Sequence, residues 1–85
     1  MEAISGMIVR SCAGHDKGMF MVITAVEGDF AMVCDEKARK LAKPKRKRIK
    51  HLRFTNTVTD MENITDKKLR SVIRDYTLKS DPGNL

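Results

Sequence analysis

Eighty-five residues, 33% of them charged and 41% hydrophobic, with three Phe, one Tyr and no Trp, make one small domain whose core cannot be large. That composition excludes a deep, aromatic-lined substrate pocket, and no apolar run approaches the ~20 residues a membrane helix needs. The net charge is +6, yet residues 1–36 hold only Arg10 and Lys17 against six acids, and residues 60–85 hold five of each sign. The whole excess comes from ten Lys and Arg residues, uninterrupted by any acid, between Lys37 and Thr59. Such a run repels itself, and a fold that keeps it either solvates it or neutralises it with a polyanion, of which nucleic acid is the obvious candidate.

Met7 to Cys12 is a short β-branched run that predicts a strand. It is closed by Ala13-Gly14-His15-Asp16-Lys17-Gly18, rich in turn formers. Met19 to Val26 is almost continuously apolar, as expected of a strand covered on both faces. Glu27-Gly28-Asp29 breaks it, and Phe30 to Cys34 follows as its hairpin partner. Asp35-Glu36-Lys37 supplies the next turn, whose two acids read as solvated. Residues 38–44 predict an exposed loop, because Pro44 has no N–H to give to a central strand. Beyond it, alternation sends Ile49 inward and Arg46, Arg48 and Lys50 to the opposite face. His51 to Thr57 predicts a last, edge strand with Leu52 and Phe54 on one face.

The period then changes. Leu69, Val72, Ile73 and Tyr76 recur at i, i+3, i+4 and i+7, one stripe of an amphipathic helix. Thr65 is its predicted N-cap, Asp66 suits the positive helix end, and Ile64 with Leu69 fits a hydrophobic staple. The stripe is expected to cover one open end of the strands, and Ser80-Asp81-Pro82-Gly83 stops the helix. Short strands, tight turns and one terminal helix predict a mainly β fold in a single domain. Its body would be a small SH3-like antiparallel β-barrel over residues 5–58, followed by a linker and C-terminal α-helix over 59–79 and a frayed tail.

Cys12 and Cys34 each fall in a predicted strand, where a reduced thiol serves as a small apolar group. With His15 and His51 they fit no metal-ligand spacing, so no metal and no cofactor is expected. His51 sits among cations with no carboxylate nearby in sequence to orient it, and no nucleophile, base and orienting group are grouped. No enzyme activity is expected. The start, Met1-Glu2-Ala3-Ile4, has neither the basic nor the apolar region of a signal peptide, so the expected location is cytoplasmic, as a monomer with no membrane partner.

The segment Val9-Arg10-Ser11-Cys12-Ala13-Gly14-His15-Asp16-Lys17-Gly18, followed by the apolar run to Val26, resembles the KOW motif. In that motif a strand, a glycine-closed loop and a second strand form a compact RNA-contacting unit, and Gly18 falls on its characteristic glycine. Lys43-Pro44-Lys45-Arg46-Lys47-Arg48-Ile49-Lys50-His51-Leu52 resembles the basic segment of the short bacterial KOW-domain RNA-binding proteins. These are similar to KOW ribosomal proteins of the archaeal and eukaryotic large subunit. The resemblance spans residues 6–54. It implies RNA as the partner, ribosomal RNA first, with ribosomal or translation proteins as further partners.

The candidate RNA-binding residues are therefore two groups. The glycine loop offers Arg10, Ser11, Gly14, His15, Lys17 and Gly18; the basic segment offers Lys37, Arg39, Lys40, Lys43, Lys45, Arg46, Lys47, Arg48, Lys50, His51 and Arg53. Arg46, Arg48 and Arg53 can hold phosphate bidentately or stack on a base, whereas the lysines act as point charges. Gly14 and Gly18 are explained equally by a tight turn alone and by close approach of backbone to RNA. Against RNA stand a solvated charged face, a nuclear-import peptide at Pro44–Arg48, and DNA, for which no major-groove helix is evident. A protein adaptor docking through the edge strand or the helix is the alternative from a different class.

Overall fold

The computed structural model describes residues 2–37 and 41–80. Five strands, β1 (Met7–Ser11), β2 (Phe20–Glu27), β3 (Phe30–Cys34), β4 (Lys45–Arg48) and β5 (Leu52–Val58), precede one helix, α1 (Asp66–Ser80). They form a single antiparallel sheet in the order β4-β3-β2-β1-β5. The predicted strands lie within a residue of the observed ones through β3, and β5 is an edge strand as expected. Cys12 is the exception, since β1 ends at Ser11 and leaves this thiol exposed.

The sheet is apolar on both faces, which explains why β2 reads as one continuous hydrophobic run. Residues alternating along the strands pack Met7, Val9, Met21, Ile23, Ala31, Val33 and Leu52 into one cluster, joined by Ile49 and Phe54. The intervening Ile8, Val22 and Cys34 point the other way and meet Leu69 and Ile73 of α1. Burial, with the nearby carboxylates of Asp66 and Asp35, pushes the Cys34 thiol up to about 11, so it stays protonated as an apolar group. The helix thus lies on one face of the central strands instead of capping an open end, because those three side chains need cover. It starts as the sequence predicts: Thr65 Oγ1 accepts from the Lys68 N–H at 3.2 Å, and Ile64 joins the cluster that holds Leu69.

The sheet does not close into a barrel. The register shifts between Met7 and Val9 in β1 and between Ile23 and Ala25 in β2; such bulges increase local twist. Even so, β4 and β5 remain at opposite ends of the strand order. A 3₁₀ turn, Ile49–His51, separates them, and its backbone is engaged elsewhere. The Ile49 N–H donates to Asp29 O at 2.9 Å and His51 O accepts from the Cys12 N–H at 2.8 Å. The turn is thus tied to the β2–β3 hairpin and to the residue after β1. That turn also replaces the end of the strand expected at Ile49 and Lys50.

Gly6 was not singled out by its sequence context, yet it is fixed from both sides. Its N–H donates to Ile23 O and its carbonyl accepts from the Thr59 N–H, each at 2.7 Å. Its φ is +91°, and a Cβ there would run into the Thr59 carbonyl. Among the described residues no helix is long and apolar enough to cross a membrane.

Candidate nucleic-acid interface

The structure divides the basic segment into side chains that serve the fold and side chains that face solvent. Strand alternation does the sorting. Lys45 and Lys47 sit opposite Val33 and Ala31, on the face of the first apolar cluster, while Arg46 and Arg48 sit opposite Met32 and Phe30 on the other.

Lys47 is buried, which the sequence reading did not anticipate. Its Nζ donates to Asp16 Oδ1 at 2.6 Å and to Ala13 O at 2.9 Å. Asp16 is itself 8% exposed. It also accepts from the Ser11 hydroxyl at 2.7 Å and from Lys45 Nζ at 3.3 Å. Burial alone would push the Asp16 carboxyl up, but the hydrogen bonds from Lys47, Ser11 and Lys45 outweigh it and hold the pKa at about 2. This network ties the glycine loop to β4. The Ser11 hydroxyl and the Lys47 ammonium are therefore engaged as anchors of the loop; Lys45 is committed in part.

The glycine loop is a hydrogen-bonded turn. The Lys17 N–H donates to Gly14 O and the Gly18 N–H to Ser11 O, with Gly14 at φ +85° and Gly18 at φ +92°. Those backbone angles account for both glycines without any ligand. A Cβ on Gly18 would meet only the Arg10 guanidinium, at 3.9 Å, so no tight approach requires its absence. His15 and Lys17 project outward.

Beside this loop lies a cleft of about 440 Å³ lined by Arg10, Ser11, Cys12, Lys17, Gly18 and Arg53. Arg10 and Arg53 are cross-strand partners in β1 and β5. Arg10 is aimed by Gly18, whose carbonyl accepts from its Nε at 3.1 Å, and by Phe20, whose ring centroid lies 5.3 Å from the guanidinium carbon. Three cationic side chains from both halves of the predicted site thus converge on one concavity.

A second basic group sits on β4. The guanidinium carbons of Arg46 and Arg48 lie over the Phe30 ring, 3.8 Å and 5.0 Å from its centroid. A cleft of about 400 Å³ lined by Asp29, Arg48, Ile49 and Lys50 adjoins them. Nothing in the local sequence marks Phe30 as part of this group. The long connection between β3 and β4 hides the register that places it opposite Arg48. Among the described residues no carboxylate forms an ion pair with Arg10, Lys17, Arg46, Arg48, Lys50 or Arg53.

The other candidates are less organised. Lys37 and Lys43 are exposed, and His51 is half-buried as the last residue of the 3₁₀ turn. Arg39 and Lys40 lie outside the described residues. Asp35, expected to be solvated, is buried and accepts from the Lys37 N–H at 2.9 Å, while Glu36 pairs with Arg74 of α1 at 3.4 Å. Among the described residues no three His, Cys, Asp or Glu side chains converge to hold a metal.

No family model and no curated protein matches the chain.

Proposed function

We propose that this chain is an RNA-binding module of the KOW type that contacts RNA phosphates through two basic groups, the cleft at Arg10, Lys17 and Arg53 and the arginine pair on β4. The observation that carries the reading is electrostatic. Asp16 takes Lys47 and part of Lys45, and of the outward cations that have no carboxylate partner among the described residues, six, namely Arg10, Lys17, Arg46, Arg48, Lys50 and Arg53, are grouped at or beside two clefts. The carbonyl that aims Arg10 and the ring that carries Arg46 and Arg48 hold these cations in place before any ligand arrives, which favours an anion-binding face over a merely solvated one. The resemblance at Val9–Gly18 and Lys43–Leu52 points the same way and favours ribosomal RNA, in the cytoplasm.

The SH3-like part of that reading rests on connectivity. Four strands follow one another across the sheet, and a 3₁₀ turn then returns the chain so that β5 pairs with β1. Two alternatives lose ground for specific reasons. An import peptide must be presented as extended free chain, whereas Pro44–Arg48 runs into a strand with Lys47 buried. An adaptor docking through the apolar helix stripe would need Leu69 and Ile73, which are already buried against the sheet.

Sequencing of RNA crosslinked to the tagged protein in cells tests the assignment, with the Arg46→Glu/Arg48→Glu double variant as control. Recovery of a confined region of ribosomal RNA, lost in the variant, is expected. Diffuse recovery of all abundant RNA, equal in both proteins, would refute it and turn attention to a protein partner.

A further inference from the structure

The arginine pair on β4 has a geometry that bulk phosphate binding does not require. Arg46 is diagonal to Phe30 across the β3–β4 ladder, yet its guanidinium carbon approaches the ring centroid to 3.8 Å, closer than that of the directly opposed Arg48 at 5.0 Å. At that distance a planar cation is in van der Waals contact with the ring. The Arg46 guanidinium therefore rests over Phe30, and Arg46 is exposed, so the group stays accessible to a ligand from solvent. A guanidinium held in this way has lost much of its rotamer freedom before any ligand arrives. The cleft that adjoins it supplies Arg48 and Lys50 for a phosphate and the Asp29 carboxylate, which can accept from an exocyclic amino group of a base.

We infer that Arg46, backed by Phe30, is a stacking platform for an unpaired base, so that the ligand of this surface is single-stranded or looped RNA and not a continuous duplex. The inference rests on the RNA reading above and adds to it which form of RNA is bound. The physical distinction is clean. A duplex carries the denser phosphate charge, so a surface acting by charge alone prefers it, whereas its bases are stacked on one another and cannot reach a guanidinium face. Stacking of a base needs the planar group of arginine; lysine would keep the charge and lose the platform.

The test compares three probes at one salt concentration: a twelve-nucleotide oligoadenylate, the same strand with abasic nucleotides at its centre, and a twelve-base-pair RNA duplex. The platform predicts that the oligoadenylate binds about tenfold more tightly than the abasic strand, the order expected of one stacked base, and more tightly than the duplex. Arg46→Lys should remove most of the difference between the oligoadenylate and the abasic strand while leaving the salt dependence of abasic-strand binding unchanged. Phe30→Leu, which withdraws the support beneath the guanidinium, should reduce the same difference. Equal affinity for the oligoadenylate and the abasic strand, or a difference that survives Arg46→Lys, would overturn the platform and leave RNA binding standing. Failure to bind any of the three probes at low salt would overturn the RNA reading itself, and the platform with it.

Discussion

Lys47 Nζ donates to Asp16 Oδ1 at 2.6 Å, across 31 positions of sequence, with both side chains almost wholly out of water. One of the ten cations of the basic segment is thereby part of the domain's interior, and the glycine loop is fastened to β4 by a side-chain contact where no ladder closes the sheet. Removing one partner of such a pair strands the other charge. Asp16→Ala should destabilise the domain by about 3 kcal/mol, and Asp16→Ala/Lys47→Met by clearly less than the sum of the two single substitutions. Urea unfolding of the four proteins of this cycle provides the check; additive effects would show that the pair is not coupled.

Acid should loosen the same contact. The folded-state pKa of Asp16 is about 2, below its ordinary 3.8, so between those values the unfolded chain binds more protons than the folded one. The contribution is fully present above about pH 4 and is lost as pH falls toward 2, at most about 2 kcal/mol in all. Comparing urea midpoints at pH 6 and pH 2.5 should show a drop that is smaller in Asp16→Asn. Equal drops in the two proteins would mean that other carboxylates carry the acid sensitivity.

The cleft cations are expected to act on binding alone. Arg53 is exposed on the edge strand, and Arg53→Glu should lower RNA affinity by roughly tenfold without moving the thermal midpoint appreciably. A loss of stability comparable to the loss of affinity would place Arg53 among the anchors, beside Lys47.

The helix is a core element. Ile73 is 1% exposed against the sheet, and Ile73→Asp would bury an unpaired carboxylate. A loss of more than about 3 kcal/mol is expected, enough to unfold a marginal domain of this size. An unaltered melting curve, followed by circular dichroism, would refute the packing of α1 on β1–β3.

Much of this architecture is written locally. β1, β2 and β3 are apolar runs bounded by glycine-containing turns and, after β3, by Asp35-Glu36-Lys37, and the stripe from Leu69 to Tyr76 has the period of a helix, so their existence and nearly their limits follow from sequence. Local pattern fails where charge replaces apolar periodicity. In Lys45-Arg46-Lys47-Arg48, alternation about Ile49 already sends Arg46 and Arg48 to the opposite face, but that Lys47 is buried follows only once the ladder to β3 and the Asp16 carboxylate are in place. Asp16 reads as a turn former in its own neighbourhood. Its role as acceptor for Ser11, Lys45 and Lys47 exists only once β4 lies against the loop. Phe30 was hidden for the same reason. The 3₁₀ turn at Ile49–His51, held by Asp29 and Cys12, is likewise a tertiary fact with no sequence signal of its own.

Salt titration of RNA binding is the most direct measure of whether the outward cations hold phosphate. With Arg10, Lys17, Arg46, Arg48, Lys50 and Arg53 engaged, log affinity against log salt should fall with a slope of about −4 to −5, and Arg46→Ala/Arg48→Ala should make it shallower by between about one and two. Binding that is insensitive to salt, or a slope unchanged in the double variant, would contradict a phosphate-contacting surface on β4.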